Sequence, residues 1–172
     1  MAGGKRLIAT AAGVNLASAA VTVALFVLLA PLMPAPEGVV APQARLALAA
    51  RLSLGPALVL FAMVIGVMAV RGRTQAFNPI EDSESRAYRV AQRALSNTVE
   101  QTLVFVPALT ALSTLLPVAS LGVLSLATAL FVVGRLLFWA GYVVHPYARA
   151  PGMAMTFAVN LIVLGWAVLL AV

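Results

Sequence analysis

The sequence contains no cysteine and few charged residues. Because none of its 172 residues is cysteine, the chain has no disulfide framework, no thiolate metal site and no cysteine nucleophile, and any thiol chemistry needs a thiol from another molecule. Charged residues make up 9% of the chain and hydrophobic residues 63%, whereas roughly 25% of the residues in an ordinary soluble domain are charged. This composition indicates an integral membrane protein.

The motifs of soluble enzymes and of nucleic-acid-binding proteins are also missing. The chain contains no Walker loop, dinucleotide-binding fingerprint or zinc-ligand spacing, so no metal site is predicted. Its eleven basic residues outnumber five acidic ones, but they are scattered along helix ends rather than interleaved with aromatic residues. We therefore expect no nucleic-acid partner. The only histidine, His145, lies in a predicted turn, where an interfacial position is favoured over a role as base or metal ligand.

Long uncharged stretches predict an all-α protein with five membrane-spanning helices. The first stretch exceeds the roughly 20 residues that cross a bilayer and the roughly 7 to 15 apolar residues of a signal peptide. The uncharged stretch 101–134 is interrupted by Pro117, Ser120 and Gly122, which indicates two helices joined by a tight turn. Arg51 and Pro56 interrupt the second span, and Pro107 predicts a kink in the third. The predicted spans are 7–33, 46–70, about 85–116, about 121–144 and 153–172.

The distribution of basic residues predicts the orientation of these spans. Segment 71–93 carries five arginines together with Glu81, Asp82 and Glu84, and it falls on the same side as Lys5, Arg6 and the predicted turn at 145–152. Positive residues mark the cytoplasmic side of a membrane protein. We therefore expect a cytoplasmic N-terminus and an external C-terminus.

Two stripes of polar residues converge on the predicted cytoplasmic half. Arg93, Asn97 and Glu100 share one face of the third span at helical spacing, and Arg135 and Tyr142 share one face of the fourth. Arg149 follows in the turn. Arg135 lies roughly 13 Å from the end of its helix, and an arginine at that depth must be paired or hydrated.

Two interpretations of these stripes remain open. In the structural one, Glu100 and Arg135 form an interhelical ion pair, Asn97 bonds a neighbouring helix, and the outer arginines anchor helix ends to lipid phosphates. In the functional one, the stripes form a pocket for a small polyanion, in which guanidinium groups bind carboxylates and Glu100 binds an ammonium group. Glutathione, with two carboxylates, an amine and a thiol, suits this set of groups.

Two segments carrying these stripes resemble the MAPEG family, the membrane-associated proteins of eicosanoid and glutathione metabolism. RVAQRALSNTVEQ, followed by an apolar helix with Pro107, and GRLLFWAGYVVHPYARAPGM resemble the second and third helices of that family. The resemblance covers about residues 46–172, which we interpret as a MAPEG-like four-helix bundle. Residues 1–45 are then an additional N-terminal transmembrane helix and external loop.

The resemblance implies a homotrimer with sites between neighbouring subunits that open toward the cytoplasm. It implies that glutathione is the co-substrate and that a lipophilic small molecule or lipid is the second substrate, as in a glutathione transferase or peroxidase. Arg149 would stabilise the thiolate, because a cation near sulfur favours its ionised form. The residues implied to hold glutathione are Arg93, Asn97, Glu100, Arg135 and Tyr142.

Three positions depart from the family pattern. Leu95 and Gln101 stand where eicosanoid-synthesising members carry glutamine and tyrosine, and Phe138 replaces a tyrosine. Losing several hydrogen bonds of roughly 1 kcal/mol each weakens binding without abolishing it. The departures argue against a dedicated leukotriene synthase. They leave open a general transferase or peroxidase and a non-catalytic subunit that binds lipid or serves as a scaffold.

Small and polar residues in the outer spans predict helix contacts. The small residues 17–20 of the first span allow close helix approach, so this helix either docks on the bundle or binds a membrane-protein partner. Asn15 and Asn160 are lone polar residues in the first and fifth spans. We expect both to form interhelical hydrogen bonds.

Overall fold

The computed structural model describes residues 2–75, 78 and 83–172, with the backbone alone for residues 2–9. The described residues contain no strand and five helices that are long and apolar enough to span a membrane. The all-α membrane fold with five spans is therefore confirmed. Glu81 and Asp82 lie outside the described residues, as do the side chains of Lys5 and Arg6. The helices are α1 (Ala2–Leu29), α2 (Pro42–Thr74), α3 (Arg86–Leu115), α4 (Gly122–Val144) and α5 (Ala150–Ala171).

Several helix ends differ from their predicted positions, and proline explains the differences. Proline lacks a backbone N–H and suits the first helical turn. Accordingly, α2 begins at Pro42, and α5 begins at Ala150 with Pro151 in its first turn. The predicted turn 145–152 was therefore too long. The predicted interruption at Pro56 was also wrong, because α2 continues through this residue. The α3 helix continues through Pro107, and the kink at this residue stays a prediction.

The helices pack around α5, and consecutive helices from α2 to α5 run antiparallel. The α2–α3 and α4–α5 hairpins pack together, and α5 also packs against α3 and α1. We call the end where α2 ends, α3 begins and α4 turns into α5 the basic end, since it carries Arg71, Arg73, Arg86, Arg89 and Arg149. Sequence hydropathy located both hairpins correctly. The additional helix α1 docks on the bundle through α5.

The centre of the bundle is a core of aromatic and aliphatic side chains. The Phe105 and Phe131 rings stack with centroids 4.2 Å apart, which joins α3 to α4. Buried residues from α3, α4 and α5 surround them, and Phe26 brings α1 into the same cluster. In lipid, side chains gain little from leaving their surroundings, so close packing and interhelical hydrogen bonds hold such helices together.

At the end opposite the basic end, two contacts hold the connecting segments against the helices. The Arg45 guanidinium donates hydrogen bonds to the Thr114 and Leu116 carbonyl oxygens, at 3.1 and 2.7 Å. These carbonyls belong to the last turn and the end of α3, where no intrahelical donor follows. At Gly122, a Cβ atom would overlap the Pro34 carbonyl oxygen. Arg45 and Gly122 therefore position the connections around α3 and α4.

Glycines allow α4 and α5 to approach closely near the basic end. A Cβ atom on Gly134 would lie 2.7 Å from Thr156 Oγ1, and one on Gly152 would overlap the backbone of Phe138. A Cβ atom on Gly141 would likewise overlap the backbone of Ala148. Because glycine has no side chain, these positions allow the backbones of α4 and α5 to lie close together.

We expect the Gly152→Ala substitution to destabilise the protein. The added methyl group meets α4 backbone rather than the end of a flexible side chain, so the two helices must separate. Overpacking of this kind costs about 1–3 kcal/mol. Thermal unfolding of the detergent-solubilised protein would measure the effect as a lower midpoint temperature.

Gly165→Ala is the matched control. Gly165 lies in the same helix, and a Cβ atom there has no neighbour within 4 Å. Alanine favours a helix over glycine by about 1 kcal/mol, so this variant should be at least as stable as the parent. Equal midpoints for the two variants would contradict the role assigned to Gly152.

Candidate functional site

The α3 helix presents the first polar stripe at the edge of the bundle. Its start is fixed by Ser85, whose hydroxyl accepts a hydrogen bond from the Tyr88 N–H at 3.1 Å. Arg93 and Glu100 are exposed, and Asn97 is half-buried. The α3 helix therefore carries charge on its outward face and places the Asn97 amide at the boundary with the interior.

Arg135 lies at the centre of the second stripe and is fully buried. Its Nε–H donates to Thr156 Oγ1 and its Nη1 donates to Asn97 Oδ1, both at 2.9 Å. Its Nη2 contacts the Gly152 carbonyl oxygen at 3.5 Å. Three helices thus meet at one guanidinium group.

The predicted ion pair between Glu100 and Arg135 is wrong. Glu100 is exposed, and the Arg135 guanidinium bonds neutral oxygens instead. Helix geometry explains the difference. Glu100 lies three residues after Asn97, and at 100° per residue its side chain points about 60° away from that of Asn97 around the helix axis. The predicted bond from Asn97 to a neighbouring helix is confirmed.

Aromatic rings connect Arg135 to Arg149. The Arg135 guanidinium lies 4.5 Å from the centroid of the Phe138 ring, whose edge contact with Tyr142 has a centroid distance of 5.7 Å. The Arg149 guanidinium lies 4.5 Å from the Tyr142 ring centroid. We call Asn97, Arg135, Phe138, Tyr142 and Arg149 the guanidinium–aromatic row.

Local sequence explains how Arg149 reaches the row. Spacings of three and four residues place Arg135, Phe138 and Tyr142 on one face of α4. The α4 helix ends at Val144, and the turn folds back because Gly141 has no side chain where the Ala148 carbonyl passes. Arg149, at the start of α5, is thereby placed over the Tyr142 ring.

The structure brings together four of the six predicted site residues. Asn97, Arg135, Tyr142 and Arg149 belong to the row, with Phe138 joining its two halves. Arg93 and Glu100 lie on the exposed face of α3. Sequence reasoning missed Thr156 and Gly152 as partners of Arg135; their four-residue spacing on a span otherwise poor in polar groups was the available signal.

Gln101 makes a contact of its own with α5. Asn160 Nδ2 donates to the Gln101 side-chain oxygen at 2.9 Å and to its backbone oxygen at 3.2 Å. The predicted interhelical role of Asn160 is confirmed, whereas Asn15 is exposed. The Gln101 amide oxygen is therefore engaged within the chain.

The chemistry available at this site is the binding of anions and polar groups. Stacking on Tyr142 leaves the planar Arg149 group with donors in a fixed orientation, which suits carboxylates and other anions. Among the described residues, no three His, Asp or Glu side chains cluster as metal ligands. His145 is exposed, and its Nδ1 accepts a bond from the Tyr147 N–H at 3.3 Å.

We expect Thr156→Val to destabilise the bundle by about 1–3 kcal/mol. Valine keeps the shape of threonine, but it leaves the buried Arg135 Nε–H without its acceptor, and an unsatisfied buried donor carries a cost of this size. The free energy of unfolding in mixed micelles would measure the change.

Thr98→Val is the matched control. Thr98 is as fully buried as Thr156, but its hydroxyl donates only to the Ala94 carbonyl in its own helix. This variant should lose less than 1 kcal/mol, because no charged group loses a partner. If both valine variants lost the same stability, Thr156 would have no special role beside Arg135.

The part of the chain that contains this arrangement matches a known protein family. The model of the MAPEG family matches residues 52–169, which is more than half of the chain and includes the whole guanidinium–aromatic row. A search of curated proteins finds no match. The match begins within α2, after α1 and the loop that follows it. With five apolar spans and this match, the chain belongs to the MAPEG family and is an integral membrane protein related to glutathione and eicosanoid metabolism.

Proposed function

We propose that this protein is a membrane-bound glutathione transferase or peroxidase acting on lipophilic electrophiles or lipid peroxides. The observation that carries the proposal is the guanidinium–aromatic row, which ends in the oriented Arg149 group. The resemblance to glutathione-using MAPEG proteins implies the thiolate-stabilising role for this arginine. Glutathione supplies the thiol that the cysteine-free chain lacks.

Charges on α3 fit the groups of glutathione. Arg93 and Glu100 carry opposite charges on one exposed helix face, so they can bind a carboxylate and the ammonium group of the same molecule. Asn97 and Tyr142 add an amide and a phenol at the inner edge of this face. In this proposal these four residues bind and orient the tripeptide.

Arg135 has a positioning role in the proposal. Its guanidinium is enclosed, and its bond to Asn97 Oδ1 fixes the amide so that the Asn97 Nδ2 donor faces away from Arg135. Arg135 therefore acts on glutathione through Asn97 and through the Phe138–Tyr142 pair. Its own charge remains inside the bundle.

Arg149 performs the chemical role. Its cation, next to the sulfur, favours the ionised thiolate, which is the nucleophilic form. Stacking against Tyr142 limits the rotation of the side chain, so less conformational entropy is lost when the anion binds. A lipophilic second substrate would reach the thiolate from the surrounding lipid.

Exposed charge on α3 supports a homotrimer. Glu100 lies near the middle of a 30-residue helix and is exposed, and a carboxylate in that position would face hydrocarbon unless protein or water covers it. Neighbouring subunits that cover this face would complete the site between them. The five arginines at the basic end indicate that the site opens to the cytoplasm, with the N-terminus on that side.

The second candidate function is a non-catalytic subunit that binds lipid or acts as a scaffold. The Gln101 contact favours it, because this side chain bonds Asn160 where eicosanoid-synthesising relatives carry a tyrosine. Residues 1–45 would then form an additional module. Exposed apolar side chains of α1, such as Leu16 and Leu28, would contact a membrane-protein partner.

Glutathione titration with ultraviolet difference absorbance tests the chemical proposal. The purified protein at neutral pH should give a saturable thiolate band, and Arg149→Ala should remove most of it because the stabilising cation is lost. Turnover with a lipophilic electrophile should fall far more than protein yield. A band of unchanged size in this variant would exclude the role of Arg149.

Two comparisons sharpen this test. Arg73→Ala removes an exposed arginine from the same end of the bundle and should leave the band within about twofold, because distant surface charges are screened. Arg149→Lys keeps the charge but not the planar stacked group, and should retain a weaker band. If the parent protein shows neither a band nor calorimetric binding of glutathione, the non-catalytic function is favoured.

Native mass spectrometry tests the oligomeric state. We expect a complex of three times the 17.8 kDa mass of one chain, because the charged face of α3 needs protein cover. Glu100→Leu removes this exposed charge, and the variant should still fold as a single chain. A parent protein that remains monomeric in mild detergent at all concentrations would contradict the homotrimer.

A further inference from the structure

A pocket of about 140 Å³ lies between α3 and α5. Gln101 and Asn160 line it, and they come one helical turn after Asn97 and Thr156, the partners of Arg135. The pocket therefore lies farther from the basic end than these contacts, and none of its lining residues belongs to the guanidinium–aromatic row. The other lining residues are apolar, namely Val104, Phe157, Leu161 and Leu164.

Asn160 carries a buried acceptor at this pocket. The residue is 5% exposed, and its Oδ1 is a buried side-chain atom without a hydrogen-bond partner among the described residues. Its Nδ2 lies 3.2 Å from the Gln101 backbone oxygen, which can only accept a bond. This contact fixes the orientation of the amide, so the unpaired atom is an oxygen. A buried acceptor of this kind is destabilising until a donor reaches it.

Gln101 provides the complementary donor. Its Oε1 accepts from Asn160 Nδ2 at 2.9 Å, so the Nε2 group is the donor end of this amide. Gln101 is half-buried and lines the same pocket. Together the two side chains present one acceptor and one donor. A single hydroxyl group matches this pair, because its O–H donates while its oxygen accepts.

The size and the walls of the pocket favour an aromatic ring over water. A water molecule occupies about 30 Å³ in the liquid, whereas a cavity of about 150 Å³ holds benzene. One water satisfies the two amides, but further waters would lie against apolar side chains. A ring fills this space and can contact the Phe157 ring. Phe157 and Leu161 are 56% and 58% exposed, so rotation of these side chains gives a ligand access to the covered Asn160 Oδ1.

We propose that this pocket binds a single-ring phenol, a small neutral molecule with one hydroxyl group on an aromatic body. The phenol O–H donates to Asn160 Oδ1, its oxygen accepts from Gln101 Nε2, and its ring lies among the apolar side chains. Asn160 follows Arg149 by eleven residues, which is about 17 Å along a helix. A ligand of one ring does not reach from Asn160 to a thiolate beside Arg149. The site is therefore separate from the proposed glutathione chemistry and does not rest on it.

Fluorine NMR with 4-fluorophenol tests the proposal. Phenols have a pKa of about 10 and are neutral at pH 7. The parent protein in detergent micelles should shift the fluorine signal saturably, beyond the effect of protein-free micelles. 4-Fluoroanisole, the methyl ether, has no O–H group and should bind about tenfold more weakly, because Asn160 Oδ1 then stays buried without a donor.

Matched variants separate the pocket from partition into micelles. Val104→Phe fills the pocket and should remove saturation. Val27→Phe adds the same group at an exposed position of α1 that does not line the pocket, and it should change binding less than twofold. Asn160→Leu removes the acceptor, so this variant should bind the phenol and its ether equally. Thermal unfolding midpoints near that of the parent would show that the variants fold, and the ratio in the parent together with Val104→Phe decides the matter if Asn160→Leu does not.

The proposal fails if the hydroxyl group, the pocket or the aromatic ring proves unnecessary. Equal affinity of the parent for 4-fluorophenol and 4-fluoroanisole, or equal shifts with the parent and Val104→Phe, would mean that the probes only partition into the micelle and that water satisfies Asn160. Cyclohexanol that displaces 4-fluorophenol as well as phenol does would contradict an aromatic ligand. Failure of the glutathione proposal would leave all of these results unchanged.

Discussion

A guanidinium group enclosed in a membrane bundle needs an oxygen partner for each direction in which it donates. Arg135 obtains these partners from Asn97 on α3 and from Thr156 and Gly152 on α5. A buried charge that loses a partner is strongly destabilising, so these bonds restrict how the three helices can rotate relative to one another. The face that α3 exposes, and hence the position of Arg93 and Glu100, depends on this one group. Neutral oxygens and the Phe138 ring surround the cation, which leaves Glu100 available on the exposed side.

The partners reach Arg135 because glycine keeps α4 and α5 close. Thr156 fits against Gly134, and Gly152 lies against the backbone of Phe138. Leucine at either glycine position would separate the helices and lengthen the bonds to the guanidinium. Because apolar side chains gain little from leaving lipid, small residues and interhelical hydrogen bonds decide the packing. The buried charge and the close approach of the two backbones therefore depend on each other. Arg135 on α4 and the Gly152–Thr156 pair on α5 provide both.

The hydropathy of the sequence was sufficient to predict the number and order of the spans, since a long uncharged stretch in a membrane protein forms a transmembrane helix. Helix periodicity also grouped Arg135 with Tyr142 and Arg93 with Glu100. It failed for the partner of Arg135, because opposite charge suggested Glu100 while helix rotation places Asn97 there. The start of α5 was misplaced because Pro151 was read as a helix breaker, although proline suits a first turn. The stacking of Arg149 on Tyr142 depends on a backbone crossing at Gly141, which no pattern in the sequence shows.

Tyr142 connects the buried Arg135 to the basic end of the bundle. Its ring contacts the Phe138 ring, which lies beside the Arg135 guanidinium, and the Arg149 guanidinium lies over the Tyr142 ring. A change in the packing around Arg135 would therefore move the Tyr142 ring, and the cation at the start of α5 would move with it. The hydrogen bonds of Arg135 and the position of Arg149 thus depend on the same row of directly contacting side chains.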